Sequence, residues 1–262
     1  MKGGRDKVLS YLVGTVTGSR KEQFDREGYC VLENVIESGD LAMLREECDV
    51  LVAESDRAMA ASGETVRDIN HKGKRYFISK RHTDRPRLRE FLFGQTMAEV
   101  CRFLIGGDAW LFNEQFVVKS ADVGMPFSWH QDSGYIDSGC PHKPYLSLWC
   151  ALDDVNAQNG TIHVLPFSRA GVKSRVDHST QAVTNDLVGY QGDDRGEEMV
   201  LSAGSVAAFT SVSFHRSGAN ATREPRRIYL AQYSAEPIVD PRSHRLWALA
   251  TPFLKDGERV TR

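Results

Sequence analysis

Residues 129–132 read Trp129-His130-Gln131-Asp132, and this stretch decides how the rest of the chain is interpreted. Side chains two residues apart on a β-strand point to the same side, so His130 and Asp132 are predicted to face one site. A second histidine, His215, lies at the predicted end of a distant strand. Two imidazoles and one carboxylate, with the opposite face open, suit non-heme Fe(II). The sequence therefore predicts a metal site drawn from two remote segments.

Composition limits the class of protein. The chain has 262 residues, of which 41% are hydrophobic and 26% charged, and these are globular values. A net charge of −2 gives no basic field for nucleic acid, and no apolar run is long enough to span a membrane. We therefore expect neither a nucleic-acid partner nor a membrane partner. No signal peptide is recognised in residues 1–16. The five cysteines contain no CxxC pair, so we predict reduced thiols and a cytoplasmic location.

The spacing of apolar residues changes near residue 110. Before it, residues 86–92, residues 96–104 and the segment after the cap region 38–40 have helical spacing. One face of that third helix carries Leu41, Leu44, Cys48, Leu51 and Val52. A helix end, Gly28 and a strand at residues 30–32 precede it.

After residue 110 the pattern is that of short strands separated by turns. The predicted strands cover residues 115–118, 145–152, 161–165, 206–209 and 227–233. Many short strands predict a mainly β sandwich or jelly roll, with the N-terminal helices as an outer layer. The length and the lack of repeats or linkers predict a single domain over residues 1–262.

Several blocks together resemble the phytanoyl-CoA dioxygenase family of Fe(II)- and 2-oxoglutarate-dependent oxygenases, over most of residues 20–236. The shared blocks, in order, are Trp129-His130-Gln131-Asp132, Ala151-Leu152-Asp153-Asp154, Gln158-Asn159-Gly160-Thr161, Leu165-Pro166, His215-Arg216-Ser217-Gly218-Ala219-Asn220 and Arg226-Arg227. The resemblance implies a double-stranded β-helix (a cupin-like jelly roll) with an N-terminal helical layer. It also implies Fe(II), 2-oxoglutarate as cosubstrate, and O2.

The resemblance implies roles for individual residues. His130, Asp132 and His215 correspond to the iron ligands. Arg226, eleven residues after His215, corresponds to the residue that anchors the far carboxylate of 2-oxoglutarate, which a guanidinium meets with two parallel hydrogen bonds. Arg227 is predicted to point to the other face of the sheet.

Weaker cosubstrate contacts are expected from Ser147, on the strand after the metal motif, and from Asn113 and Lys119 on the strand before it. Each is equally well read as an ordinary polar residue of a strand. His163 is interpreted as a packed or surface histidine rather than a ligand.

Two positions refine the resemblance. Many relatives carry Pro-Gly-Ser-His after the Asn-Gly hairpin, whereas this chain has Pro166-Phe167-Ser168-Arg169, so the shape of that loop is open. Related halogenases lack the carboxylate and bind chloride in its place. Because Asp132 is present, hydroxylation is favoured over halogenation, while desaturation, ring closure and epoxidation stay open.

Residues 67–81 are rich in cations. The simpler interpretation is a solvated loop. The alternative is a lid that meets an anionic substrate, with Lys72, Lys74 and Arg75 raising affinity for it. Phe127, Tyr135 and Trp149 are candidates for the wall of the substrate pocket, although aromatic residues on such strands more often belong to the core.

The resemblance predicts a dioxygenase that hydroxylates an unactivated C–H of a small molecule and releases succinate and CO2. The main alternative is a non-catalytic jelly roll that binds a small molecule or a metal. A zinc hydrolase using the same three ligands is a second alternative, although no carboxylate is placed as its general base. Neither alternative gives Arg226 a role. The substrate's identity and the oligomeric state are not predicted.

Overall fold

A computed structural model describes residues 16–248 and 250–260 of the chain. The predictions for residues 1–15 lie outside the described residues. Its α-helices are α1 (Val16–Glu27), α2 (Ser38–Ser62), α3 (Pro86–Leu92), α4 (Gln95–Ile105) and α5 (Phe167–Ala170). None of the described helices combines the length and the apolar character that crossing a bilayer requires.

The strands up to the metal motif and just after it are β1 (Tyr29–Leu32), β2 (Val66–Arg67), β3 (Asn70–His71), β4 (Arg75–Ser79), β5 (Ala109–Lys119), β6 (Phe127–His130), β7 (Leu146–Ala151) and β8 (Ile162–Val164). The later strands are β9 (Ser179–Thr180), β10 (Leu187–Val188), β11 (Glu197–Glu198), β12 (Val206–Thr210), β13 (His215–Ser217), β14 (Arg226–Ser234), β15 (Thr251–Lys255) and β16 (Glu258–Arg259).

Two sheets form the body of the fold. The major sheet has the order β1-β12-β7-β14-β5-β4-β3-β2, and β15 joins it beside β5. The minor sheet has the order β11-β8-β13-β6. Each pairing for which a register is known is antiparallel, and neighbours such as β12 and β7 are far apart in sequence. This is the sandwich that the short-strand pattern predicts.

Alternation along the central strands gives the major sheet two apolar faces. On β14, Tyr229 and Ala231 belong to the outer core, which packs under α2, α3 and α4. Ile228 and Leu230 belong to the inner core, which they share with Ile162 of the minor sheet. Burial of both faces explains why β14 reads as a nearly continuous apolar run. The polar residues of its inner face are therefore exceptions that call for an explanation.

The predicted helices are confirmed. Leu44, Cys48 and Leu51 of α2 are buried against the sheet, and Gly63 ends the helix in the left-handed conformation at φ 70°. Pro86 occupies the start of α3, where its missing N–H costs no hydrogen bond. All five cysteines are buried and unpaired, as the absence of a CxxC pair predicts.

The prediction of a solvated loop over residues 67–81 is wrong for part of that segment. Residues 66–79 form β2, β3 and β4 at one end of the major sheet. Arg75 is fully buried and pairs with Asp186 at 2.7 Å, and His71 is also buried. The pairing partner lies 111 residues away, so a local charge count could not identify it. Arg75 is consequently not available to a ligand, while Lys74 and Lys80 remain exposed.

Candidate metal centre

His130, Asp132 and His215 meet at one end of the minor sheet. His130 is the last residue of β6, and His215 is the first of β13 and its direct cross-strand partner. Asp132 Oδ1 lies 3.6 Å from His130 Nε2 and 3.5 Å from His215 Nε2. One ligand atom from each residue lies within 4.8 Å of the other two, and all three side chains are buried. The structure thus brings together the three residues that the sequence singles out.

Asp132 faces the same side as His130, but the local backbone differs slightly from the predicted continuous strand. The strand ends at His130, and Asp132 begins a short 3-10 helix, Asp132–Tyr135. Gln131 between them keeps an extended backbone, with φ −109° and ψ 139°. Alternation therefore continues one residue past the strand end, which places Asp132 on the same side as His130.

Both imidazoles are oriented by backbone carbonyls. His130 Nδ1 lies 2.8 Å from the carbonyl of Ser128, and His215 Nδ1 lies 3.2 Å from that of Ser213. Because a carbonyl only accepts, each Nδ1 carries the hydrogen and each Nε2 presents its lone pair to the centre. Such outer contacts fix the ring and the tautomer of metal-binding histidines.

The electrostatics favour a neutral imidazole at His215 and an ionised carboxylate at Asp132. Burial, reinforced by the neighbouring His130, lowers the pKa of His215 to about 4. Burial alone would raise the pKa of Asp132, but the facing histidines and the hydrogen bond from Ser147 outweigh it and lower the pKa to about 2. Two neutral nitrogens and one carboxylate are the donor set of non-heme Fe(II) sites, so these residues fit that ion.

The second oxygen of Asp132 is held by the major sheet. Ser147 of β7 donates to Oδ2 at 2.5 Å, and Gln232 Nε2 of β14 donates to the same atom at 2.9 Å. Asn113 Nδ2 of β5 donates in turn to Gln232 Oε1 at 3.0 Å. Ser147 and Asn113, predicted as cosubstrate contacts, here take part in the support of Asp132. Their contact with a cosubstrate stays a prediction.

Arg226 lies on the inner face of β14 and is 1% exposed. Its guanidinium donates to the carbonyls of Val117 and Gly160, both at 3.2 Å, and lies 5.5 Å from the ring centre of Trp149. Its Nε is buried without a hydrogen-bond partner among the described residues. Burial lowers the pKa of this guanidinium, which indicates how weakly the surrounding protein compensates the cation.

Lys119 is the direct cross-strand partner of Arg226 and is also fully buried. Its Nζ donates to Ser217 Oγ at 2.8 Å and to the carbonyl of Gly218. Burial, followed by repulsion from Arg226, lowers the pKa of Lys119 well below its ordinary value. Two buried basic side chains therefore lie directly opposite each other on β5 and β14, on the inner side of the major sheet.

Arg227 points to the opposite face, as predicted. Its side chain donates two hydrogen bonds to Asp153, at 2.8 and 3.1 Å, and pairs with Asp49 of α2 at 3.1 Å. Adjacent arginines on one strand thus have different surroundings: Arg227 is paired with carboxylates, whereas Arg226 binds only carbonyl oxygens.

A cavity of about 270 Å³ opens over the three candidate ligands. Its wall includes the three predicted aromatic residues Phe127, Tyr135 and Trp149. It also includes aromatic residues that the sequence did not single out: Phe77, Phe112, Tyr145 and Trp247. Asn113, Gln115 and Lys80 supply polar groups to the same wall. The cavity suits a compact, largely apolar molecule.

The loop that departs from the family pattern forms the one-turn helix α5. Arg169 stands where many relatives carry histidine, and it pairs with Asp194 and Glu197 at the surface. The departure therefore lies outside the candidate metal centre. His163 is half-buried on β8 and lies outside the ligand cluster, as predicted.

The family model "Phytanoyl-CoA dioxygenase (PhyH)" matches residues 24–228. The chain belongs to the phytanoyl-CoA dioxygenase family. Its predicted family is thereby confirmed, and it is an Fe(II)- and 2-oxoglutarate-dependent dioxygenase.

Relatives and solved structures agree with this assignment. An ectoine dioxygenase of Stutzerimonas stutzeri (strain A1501) is 25% identical over 221 residues, covering 78% of this chain and 72% of the relative. EvdO2 of Micromonospora carbonacea var. aurantiaca, solved with 2-oxoglutarate, superposes with a TM-score of 0.67 at 23% identity, over 88% of this chain and 97% of that one.

EctD of S. alaskensis, solved with 2-oxoglutarate and 5-hydroxyectoine, gives a TM-score of 0.63 at 23% identity, over 89% of this chain and 80% of that one. These likenesses confirm the jelly-roll fold.

Gln232 is the site residue that sequence reasoning missed. It is a buried amide in the otherwise apolar or aromatic run Ile228 to Tyr233 of β14. A polar residue at an inward position of a central strand signals a buried hydrogen-bond network, because such a group is rarely left unpaired. That signal was present in the sequence, but its partners lie on two other strands.

Proposed function

We propose that this dioxygenase hydroxylates an unactivated C–H of a small molecule, with His130, Asp132 and His215 as the iron ligands and Arg226 as the anchor of 2-oxoglutarate. The convergence of these three ligands, together with a buried arginine on the inner face of β14 that has no carboxylate partner among the described residues, carries the proposal. When bound, Fe(II) with 2-oxoglutarate and O2 supplies the oxidising power for the reaction, and succinate and CO2 are the coproducts.

The chain's own residues have three tasks. The Nε2 atoms of His130 and His215 and one oxygen of Asp132 would hold the metal, a donor set that leaves room for further ligands. Arg226 and Lys119 give the far carboxylate of 2-oxoglutarate a buried pair of cations. The aromatic wall of the cavity excludes water and orients the C–H to be attacked.

Arg226 is expected to contribute more than Lys119 to the binding of the far carboxylate of 2-oxoglutarate. Its fork can form two parallel hydrogen bonds with a carboxylate, and its Nε has an unused hydrogen. Lys119 presents a single ammonium that is already held by Ser217 and Gly218. We therefore assign the larger share of cosubstrate binding to Arg226 and the smaller share to Lys119.

The substrate is proposed to be compact. Its anionic character remains a prediction that now rests on Lys80, the exposed lysine of the cavity wall, rather than on Arg75. Residues 1–262 are proposed to form one domain, since the helices and the major sheet share one core. The cytoplasm is the proposed location, because five unpaired cysteines suit a reducing compartment.

The test is Fe(II)-dependent formation of succinate from 2-oxoglutarate, measured across a panel of fatty acyl-CoAs, amino acids and secondary metabolites. At least one compound should raise succinate formation and be recovered with one added oxygen. Asp132→Ala and Arg226→Ala should abolish this turnover. Arg227→Ala is the matched control, since it removes a neighbouring arginine that faces the other side of β14.

Two outcomes contradict the proposal. Turnover that survives Arg226→Ala would remove the assigned anchor. Metal binding without succinate formation for the whole panel would favour the non-catalytic binding module.

A further inference from the structure

The two oxygens of Asp132 lie in different surroundings. Oδ1 faces the Nε2 atoms of His130 and His215 at 3.6 and 3.5 Å. Oδ2 accepts hydrogen bonds from Ser147 at 2.5 Å and from Gln232 at 2.9 Å. An oxygen that already accepts two hydrogen bonds has little capacity left for a metal. Asp132 is therefore presented to the metal through Oδ1 alone.

The direction of the Gln232 amide is fixed from both ends. Ionised Asp132 only accepts hydrogen bonds, so the NH2 end of Gln232 must face it. The oxygen end then faces Asn113, which must donate, and the Nδ2 to Oε1 distance is 3.0 Å. Gln232 also donates to Ser147 Oγ at 3.1 Å. A reversed amide would place its oxygen against Asp132 Oδ2. It would then lose the hydrogen bonds that Gln232 donates to Asp132 and accepts from Asn113.

The environment of these amides shows that the arrangement is built into the fold. Gln232 is 4% exposed and lies between β5 and β7, which carry Asn113 and Ser147 directly opposite it. Three adjacent strands of the major sheet thus deliver one polar side chain each to the same point. Asn113 is half-buried and lines the cavity above the metal centre.

We propose that Gln232 is a positioning residue that restricts Asp132 to one-oxygen metal coordination, and that Asn113 sets the direction of its amide. The inference rests on the metal set His130, Asp132 and His215 of the proposed function. Its consequence is open coordination space, because a carboxylate that bound through both oxygens would occupy a position that 2-oxoglutarate or O2 needs.

The first test is titration of the full chain with Co(II), followed by its visible absorption. Gln232→Leu keeps the approximate volume but removes the donor. It should weaken Co(II) binding by about 10- to 100-fold, the usual cost of losing an outer support of a metal ligand. It should also shift the absorption bands, since Asp132 Oδ2 then keeps only the hydrogen bond from Ser147 and is less restricted from approaching the metal.

The matched control is Ser234→Ala, two residues further along β14. The Ser234 hydroxyl is buried and has no hydrogen-bond partner among the described residues, so its removal should leave Co(II) affinity and spectrum unchanged. A Gln232→Leu chain that binds Co(II) with the wild-type affinity and spectrum would overturn the proposal.

Asn113→Asp gives a second test that does not depend on tolerance of a buried leucine. A carboxylate at this position cannot donate to Gln232 Oε1, so the amide reverses and turns its oxygen toward Asp132. The proposal predicts weaker Co(II) binding, although simple electrostatics predicts tighter binding near an added negative charge. Tighter or unchanged binding by Asn113→Asp would reject the role of Asn113.

His130→Ala separates this inference from the metal assignment itself. Loss of Co(II) binding in His130→Ala together with wild-type binding in Gln232→Leu would reject only the positioning role. Undiminished binding in His130→Ala would instead reject the metal set, and the positioning role with it.

Discussion

Arg75 and Arg226 are both fully buried arginines on the major sheet, but among the described residues only Arg75 has a carboxylate partner. Arg75 pairs with Asp186 at 2.7 Å, and its guanidinium carbon lies 5.5 and 4.8 Å from the ring centres of Phe77 and Phe127. Arg226 has two carbonyl contacts and a buried Nε without a described partner. Arg75 therefore has its carboxylate partner within the chain, whereas Arg226 keeps an unused hydrogen-bond donor that the proposed role as cosubstrate anchor would employ.

The comparison separates a buried cation that the chain itself pairs with a carboxylate from one that has no carboxylate partner among the described residues. A buried ion is costly unless it is paired and hydrogen-bonded, so a fold that needs a buried cation for its own stability supplies the carboxylate as well. Asp186 is also an acceptor for the backbone N–H of Ser128 on β6, so the Arg75 pair connects β4 with the strand that carries His130. Arg226 brings no such structural partner.

The largest expected effect concerns Arg75. Arg75→Ala leaves Asp186 buried and unpaired, which should lower the free energy of unfolding by about 3 to 5 kcal/mol. Urea denaturation measures this loss. Replacing both partners, as in Arg75→Met with Asp186→Leu, should recover most of it. If the single variant were as stable as wild type, the structural reading of Arg75 would be wrong.

The next largest effect concerns Arg226, the proposed anchor of 2-oxoglutarate. Arg226→Met should weaken 2-oxoglutarate binding by about 2 to 5 kcal/mol, because the cosubstrate carboxylate loses its buried partner. The free energy of unfolding without cosubstrate should not fall, since an uncompensated buried charge is removed. Calorimetric titration with 2-oxoglutarate under nitrogen, beside urea denaturation, checks both halves. A large loss of stability with unchanged affinity for 2-oxoglutarate would mean that Arg226 has a structural role, like that of Arg75.

Lys119 should show a smaller change of the same kind. Lys119→Met removes a charged hydrogen-bond donor, which is worth about 1.5 to 3 kcal/mol when it meets a ligand. The KM for 2-oxoglutarate should therefore rise by about 10- to 100-fold, and by less than in the Arg226 variant. Steady-state succinate formation measures it. A KM equal to that of wild type would leave Arg226 as the only assigned cation.

The smallest effect belongs to the surface. Asp49 is 62% exposed on its side chain and pairs with Arg227 at 3.1 Å. Asp49→Asn should cost about 0 to 1 kcal/mol of stability and progressively less as salt is added. Thermal denaturation at low and high ionic strength tests this. A loss comparable to that of Arg75→Ala would mean that exposure does not separate these ion pairs.

Much of the metal centre could be predicted because its determinants are local. The two-residue spacing of His130 and Asp132 fixes their common direction, and adjacency sends Arg226 and Arg227 to opposite faces. The helices α2, α3 and α4 were likewise evident from apolar spacing. Each of these inferences depends on the backbone conformation of a few neighbouring residues, and Gln131 stays extended although the strand ends at His130.

The features that escaped prediction depend on distant partners. Arg75 appeared to belong to a cationic surface segment because Asp186 is remote in sequence. Ser147 and Asn113 were recognised as polar strand residues, but the Gln232 amide that links them lies on β14. Which polar groups meet across a sheet is set by register, and one sequence does not fix register between non-consecutive strands.

The metal centre joins the two layers of the sandwich. Its histidines come from the minor sheet, and Asp132 is gripped by Ser147 and Gln232 of the major sheet. A bound ion would therefore add a cross-link between the two layers, beside the hydrogen bond from Lys119 of the major sheet to Ser217 of the minor sheet. Chelation should then lower the melting temperature and admit proteases at the cavity mouth, so metal supply would govern how long the protein survives as well as whether it is active.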